Sequence, residues 1–242
     1  MVKKEGVLVV LEIRNLTKKY GRRLILDDVS MTFKRGEVTC LLGLNGVGKS
    51  TTMKAIMQMI PVNDGEFLLD GEPITSKNID RIAYVPDLPI YNMVLTCDQN
   101  LQIAEELYDG FKMRKAERLI EFLKLPRQKK LLELSKGNLA RFNLIVGLCQ
   151  RADIVLLDEP FSGIDVFTRE TFIAAMKSEF IEPDQTVILT THEIGEVQDI
   201  ADTVILLEDG VIFKTFSKED ALAEGLSIVD KMRTLYQGGG QI

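Results

Sequence analysis

The chain has 242 residues, 45% hydrophobic and 27% charged, with 18 glycines and 7 prolines. That composition supplies apolar material for a globular core and excludes a disordered tail, a collagen-like fibre and a disulfide-stapled miniprotein. Thirty basic against 36 acidic residues give a formal charge of −6 and a pI near 5.1, which argues against non-specific nucleic-acid binding, since phosphate contact needs clustered Lys and Arg.

Cys40, Cys97 and Cys149 are far apart and odd in number, so neither a zinc site nor a disulfide framework is expected. Cys40 and Cys149 sit in apolar runs and read as core residues, and reduced thiols fit a cytoplasmic protein. No stretch approaches the roughly 20 apolar residues that span a bilayer. The start, Lys3-Lys4-Glu5 followed by an apolar run to Leu11, mimics a signal peptide. The run stops at Glu12 without a small-residue cleavage site, so it is read as strand.

In chain order, Val7–Ile13, Val38–Leu42, Glu66–Leu69 and Ile82–Val85 are predicted strands, with turns at Gly21, Gly36, Gly65 and Asp70-Gly71. A helix follows Ser50, where Met53, Ile56, Met57 and Ile60 recur at helical spacing before Pro61. Residues 96 to 150 read as a helical block. Thr96 and Gln99 form a capping-box pattern ahead of Leu101, Ala104 and Tyr108. Ala116, Leu119, Ile120 and Leu123 make a second stripe, and Leu139, Phe142, Val146 and Cys149 a third. Ile154–Leu157 then reads as a buried parallel strand. It is followed by a helix over Thr168–Phe180, a strand over Thr186–Thr190, a short helix over Ile194–Ile200 and a strand over Val204–Leu207. Asp209-Gly210 turns into Val211–Phe213 as a hairpin, Ser217 and Asp220 cap a last helix, and Gly238-Gly239-Gly240 reads as a frayed end.

Gly43-Leu44-Asn45-Gly46-Val47-Gly48-Lys49-Ser50 fits the pattern G-x-x-x-x-G-K-[ST] between an apolar strand and an amphipathic helix. Glycines let the backbone wrap closely, so that successive N–H groups point at phosphate oxygens, and the helix N-terminus adds its positive dipole end. Lys49 is expected to reach the β- and γ-phosphates, Ser50 to place its hydroxyl on Mg²⁺, and Thr51 to bond the α-phosphate region.

Asp158 and Glu159 follow four apolar residues, which places two acids at the carboxyl end of a sheet, where open α/β sheets bind ligands. Neighbouring strand residues point to opposite sides, so the acids divide the work. Asp158 is read as the Mg²⁺ residue, through water, and Glu159 as the group that polarises an attacking water. His192, the lone histidine, stands at the end of another strand and is read as a partner of the γ-phosphate and of Glu159.

Together these residues resemble the nucleotide-binding domain of ABC transporters, over about Leu11 to Phe213. Tyr20 stands where that family has its adenine-stacking aromatic, and Leu134-Ser135-Lys136-Gly137-Asn138 occupies the position of the L-S-G-G-Q signature. Asp158-Glu159 matches Walker B and the catalytic glutamate, Ser162-Gly163-Ile164-Asp165 the D-loop, and His192 the switch histidine. Two departures stand out. Where the family has glutamine, Tyr84-Val85-Pro86 leads to Asp87, an acid that can coordinate Mg²⁺ or position water. In the signature, Lys136 replaces glycine and Asn138 replaces glutamine, while Ser135 and Gly137 keep the phosphate-binding positions.

The resemblance implies an α/β fold: a P-loop core with a mainly parallel sheet and flanking helices, an N-terminal antiparallel β subdomain and an inserted helical subdomain. As one domain over 1–242, residues 7–87 and 152–242 form the core and β subdomain, and 88–151 the helical signature subdomain. It further implies ATP with Mg²⁺, a composite site completed by a second nucleotide-binding domain, homo- or heterodimeric, and a separate transmembrane permease. The chain would then sit on the cytoplasmic face of the membrane, docking through the helical block and the loop Asp87–Met93. Asp87 resembles the acids of a bacterial exporter subgroup handling peptides, antibiotics or drugs. Import, and a soluble ABC-type ATPase acting on ribosomes or DNA, are the alternatives, the latter disfavoured by the acidic pI and by the lack of a second nucleotide domain or a basic insertion. No N-K-x-D motif supports a small GTPase, and intact Lys49, Asp158, Glu159 and His192 argue against a non-hydrolytic module.

Overall fold

A computed structural model describes residues 8–87, 90–165, 169, 170, 173, 176 and 180–237. The predicted helix over Thr168–Phe180 falls largely outside them, as do the terminal glycines and part of the Asp87–Met93 loop.

The chain opens with a long antiparallel hairpin, β1 (Val9–Tyr20) and β2 (Arg23–Lys34), turned at Gly21-Arg22. The strand predicted over Val7–Ile13 therefore runs on to Tyr20, and β2 was not foreseen at all. The reason is a paired irregularity: Asn15 and Asp28 both adopt left-handed backbone, with φ of 51° and 50°, and Asn15 Nδ2 donates to Asp28 Oδ1 at 2.7 Å. Bulges shift the register there, and the alternation of buried and exposed residues breaks with it.

After β3 (Val38–Leu42) comes helix α1 (Lys49–Ile56), then β4 (Asp64–Leu69), β5 (Glu72–Pro73) and β6 (Ile82–Val85). Helix α1 ends four residues before the predicted limit at Ile60, because Gln58 turns left-handed at φ 54°. Strands β2-β1-β4-β5 form the antiparallel sheet. The helical block consists of α2 (Cys97–Leu107), α3 (Met113–Phe122) and α4 (Lys136–Leu148). Thr96 and Gln99 form the expected capping box on α2.

Strands β7 (Ile154–Asp158), β8 (Thr186–Thr191), β9 (Thr203–Glu208) and β10 (Val211–Ser217) complete the second sheet, with α5 (Ile194–Ile200) between β8 and β9. Its order is β10-β9-β3-β8-β7-β6, parallel except for β10. Two helices, α6 (Lys218–Ala223) and α7 (Ile228–Gln237), replace the single last helix predicted, and Gly225, at φ 72°, lies between them.

Strand alternation distributes the core. Val38, Cys40 and Leu42 of β3, with Val155, Leu157, Val187 and Leu189, belong to one apolar cluster with the buried side chains of α2, α3 and α4. Leu41, Ile154, Leu156 and Ile188 face the other way, onto α1 and the antiparallel sheet. Each fully buried large apolar side chain, such as Phe33 or Phe142, contributes about 1.5–3 kcal/mol by area. A sheet buried on both faces holds the carboxyl ends of β3, β7 and β8 in fixed register, and those ends carry the site.

Candidate active site

The loop after β3 is shaped by its glycines. Gly48 has φ 120°, and a Cβ there would lie 2.5 Å from Leu26 Cδ2, so only glycine lets the chain pass into α1. Helix α1 starts without a side-chain cap, leaving its first N–H groups open towards the loop. Lys49 folds back over the loop. Its Nζ donates to Gly43 O at 2.8 Å and Leu44 O at 3.2 Å and lies 3.1 Å from Glu159 Oε1. Its side chain is only 4% exposed, so the cation is aimed by three oxygens rather than by solvent.

Three hydroxyls converge on Asp158. Ser50 Oγ and Thr190 Oγ1 donate to its Oδ1 at 2.9 and 2.7 Å, and Tyr84 OH to its Oδ2 at 3.3 Å. Burial and the Asp158 carboxylate push the Tyr84 phenol up, which keeps it a donor. The two acids face different partners, but strand alternation is not the cause. Glu159 lies beyond β7 and turns left-handed, with φ 47°, rather than alternating along the strand. Its N–H donates to Thr190 Oγ1 at 2.9 Å, and its carboxylate lies between Lys49 Nζ and His192 Nδ1, the latter 2.9 Å from Oε2.

Lys49, Ser50, Thr51, Gly46, Gly48, Asn45, Asp87 and Glu159 line one cleft of about 310 Å³. Gly43, Leu44, Val47 and His192 line a larger adjoining one of about 590 Å³, which Gly46 and Asn45 share. Asp87 is raised from its ordinary value by burial and by the negative field of Asp158 and Glu159. The main chain ahead of it is pinned to α4, because Asn143 Nδ2 donates to Pro86 O at 2.6 Å.

The donor set suits a hard cation. Asp158 and Ser50 present oxygen only, and Asp87 lines the cleft that Ser50 lines. Among the described residues no three His, Cys, Asp or Glu form an all-protein cage. One or two carboxylates completed by ligand phosphates is the arrangement Mg²⁺ accepts.

Four predicted residues line neither cleft. Asp158 is buried, 3% exposed, and meets the smaller cleft through the Ser50 hydroxyl. Tyr20 ends β1 48% exposed, with Lys18 Nζ 4.4 Å over its ring, and lines neither. Ser135 caps α4, accepting from Asn138 N–H at 3.3 Å, and Gly137 lies so close to the next loop that a Cβ would stand 3.0 Å from Gly163 O. Arg141 Nη2 reaches Asp165 Oδ2 at 3.4 Å, tying α4 to the Ser162–Asp165 turn. Sequence reasoning missed Thr190 and Tyr84, and also Arg23 and Ile25, which line both clefts. A threonine hydroxyl inside a fully buried strand was the available signal for Thr190.

The family model described as ABC transporter matches residues 26–162. The ABC transporter ATP-binding protein YtrB of Bacillus subtilis (strain 168) is 32% identical over 222 residues, covering 90% of this chain and 76% of that protein. Linearmycin resistance ATP-binding protein LnrL of the same organism is 30% identical over 219 residues, covering 87% and 70%. Carnitine transport ATP-binding protein OpuCA of Listeria monocytogenes is 27% identical over 228 residues, covering 88% and 56%. Among solved structures, an ATP binding subunit of an ABC transporter superposes with a TM-score of 0.80 at 23% identity, over 93% of this chain and 99% of that one, which bears on the fold.

Proposed function

The chain belongs to the ABC transporter family and is an ABC-type ATPase, and from that premise we propose that it powers export of a peptide, antibiotic or drug-like substrate through a separate membrane subunit. The observation that carries the site assignment is the contact of Glu159 with both Lys49 and His192, beside a carboxylate held by Ser50.

In this reading, the loop from Gly43 to Ser50 wraps the triphosphate, and Lys49 exchanges its contact with Glu159 for phosphate oxygens. Thr51, on the same cleft, holds the α-phosphate side. Asp158 and Ser50 would hold Mg²⁺, which would supply positive charge against the phosphates. Asp87 lines the same cleft as Ser50 and would join the metal or the attacking water. Glu159 takes a proton from water as the water oxygen bonds the γ-phosphorus, and the bridging oxygen leaves with ADP. His192 holds the Glu159 carboxylate in line through Nδ1.

Ser135 and Gly137 stand outside both clefts, at the start of α4, which supports their serving the nucleotide of a second nucleotide-binding domain. Tyr20, exposed at the end of the hairpin, keeps the proposed base-stacking role only if its ring leaves Lys18. The segment 88–151 is the proposed signature subdomain and docking arm, with the exposed Ile90, Val94 and Leu107 on its surface. No helix among the described residues is long and apolar enough to cross a membrane. Membership of the family is what supports assigning the pathway to a separate membrane subunit and this chain to the cytoplasmic face.

Likeness to the linearmycin resistance protein supports the export reading. Likeness to the carnitine transport protein favours a second reading, a small-molecule importer. The test of the shared chemistry is Glu159→Gln. It is expected to bind ATP with Mg²⁺ at wild-type affinity, to stall hydrolysis and to accumulate dimer in size-exclusion chromatography; wild-type turnover would remove Glu159 from its role. Direction is read by reconstituting the chain with its membrane partner in inverted vesicles and following labelled substrate.

A further inference from the structure

We propose that Thr190 is a positioning residue that sets the two acids of the site against each other, an inference that rests on the nucleotide-hydrolysing reading above. Its side chain is 0% exposed, within a strand buried along its whole length, so its hydroxyl can be satisfied only by protein. A hydroxyl has one proton to give and lone pairs to receive. At Thr190 both capacities are used on adjacent residues of another strand end. The proton goes to Asp158 Oδ1 at 2.7 Å, and a lone pair takes the N–H of Glu159 at 2.9 Å.

The second bond acts at a point of strain. Glu159 is a non-glycine residue in the left-handed region, a conformation that persists only where surroundings hold it. Thr190 supplies that hold on the backbone, while Lys49 and His192 hold the carboxylate. Ser162 N–H closes the turn on Glu159 O at 3.1 Å. Without the Thr190 hydroxyl, the Glu159 N–H loses this partner, and the turn closure from Ser162 acts on the far side, at the carbonyl.

The first bond acts on Asp158. Its Oδ1 is shared between Ser50 and Thr190, with Tyr84 on Oδ2, so the carboxylate plane is fixed from both sides of β7. Strand β8 therefore serves the site twice. Thr190 bonds both acids, and two residues on, just past the strand, His192 meets the Glu159 carboxylate. One rigid strand, paired in parallel register with β7, thereby locks the metal-side acid, the water-side acid and the histidine into one spacing.

The experiment is Thr190→Val, which keeps the shape and removes the hydroxyl, with Thr190→Ser as the conservative rescue and Thr190→Ala as a second hydroxyl-free variant in case valine disturbs packing. Steady-state ATPase kinetics, binding of a fluorescent ATP analogue with Mg²⁺ and with EDTA, and thermal melting are measured on the full chain. Thr190→Val and Thr190→Ala are expected to lose about tenfold to a hundredfold in kcat, the scale of a misplaced reacting group. KM stays within about threefold, binding in EDTA is unchanged, the Mg²⁺-dependent gain in affinity shrinks, and Thr190→Ser recovers most of the turnover. Wild-type kcat in both hydroxyl-free variants overturns the proposal. So does a loss that Thr190→Ser fails to recover, or one that follows the fall in melting temperature alone. If the wild-type chain itself hydrolyses no ATP, the functional reading fails instead, which separates the two.

Discussion

His192 Nδ1 stands 2.9 Å from Glu159 Oε2, while Lys49 Nζ stands 3.1 Å from the other oxygen of the same carboxylate. One acid is thus shared by the phosphate loop and by the end of β8, segments 143 positions apart in the chain (192 − 49).

Removing the histidine isolates the acid from one side only. His192→Ala is expected to lower kcat about tenfold to a hundredfold, because once Lys49 has moved to the phosphates the His192 contact is what keeps the Glu159 carboxylate aligned. Nucleotide affinity, measured by calorimetry, stays near wild type. An unchanged kcat would show that the imidazole is a bystander.

Lys49→Ala removes the cation at the centre of the loop. Hydrogen bonds to charged groups contribute about 1.5–3 kcal/mol, so ATP affinity is expected to fall about tenfold to a hundredfold. Titration calorimetry reads it directly. Equal affinity would dismiss the phosphate-loop reading.

Asp87 carries the pH prediction. Its carboxyl is raised by burial and by Asp158 and Glu159, so the folded chain is penalised when Asp87 ionises. The penalty is present above the raised value and disappears as pH falls through it towards the ordinary carboxylate range. Asp87→Gln is therefore expected to melt slightly higher than wild type at about pH 7.5, with the difference fading near pH 4. Differential scanning fluorimetry of the nucleotide-free chain checks it. A gain that persists undiminished in acid would assign the effect to something other than charge.

The thiols give a test of the core. Burial pushes Cys149 up to about 12 and Cys97 to about 11, and all three cysteines are buried. At pH 8 the thiolate fractions of these two are about one in ten thousand and one in a thousand. Iodoacetamide is expected to leave them unlabelled in the native chain and to label them in urea, as read by mass spectrometry. Rapid native labelling of Cys149 would contradict its place in the buried core at the end of α4.

The phosphate loop was legible because it is local. Its glycines, lysine and serine lie within eight consecutive residues, and their spacing follows from what a backbone must do to approach phosphate. The capping boxes of α2 and α6 were legible for the same reason, since Thr96 with Gln99 and Ser217 with Asp220 close over three residues. Strand β2 was not legible, because the bulge at Asp28 is stabilised by Asn15 on another strand, and the alternation that identifies a strand fails where register shifts.

By itself, then, the sequence picked out the side chains that the proposed mechanism uses: a lysine in a glycine loop, two acids after an apolar run, a histidine after another. Only the tertiary structure decided how they meet. Glu159 reaches Lys49 and His192 because its backbone turns left-handed, and that turn is bonded to a threonine 31 positions away. Such a contact depends on two strands lying side by side in one register, a property of the sheet that no segment encodes alone.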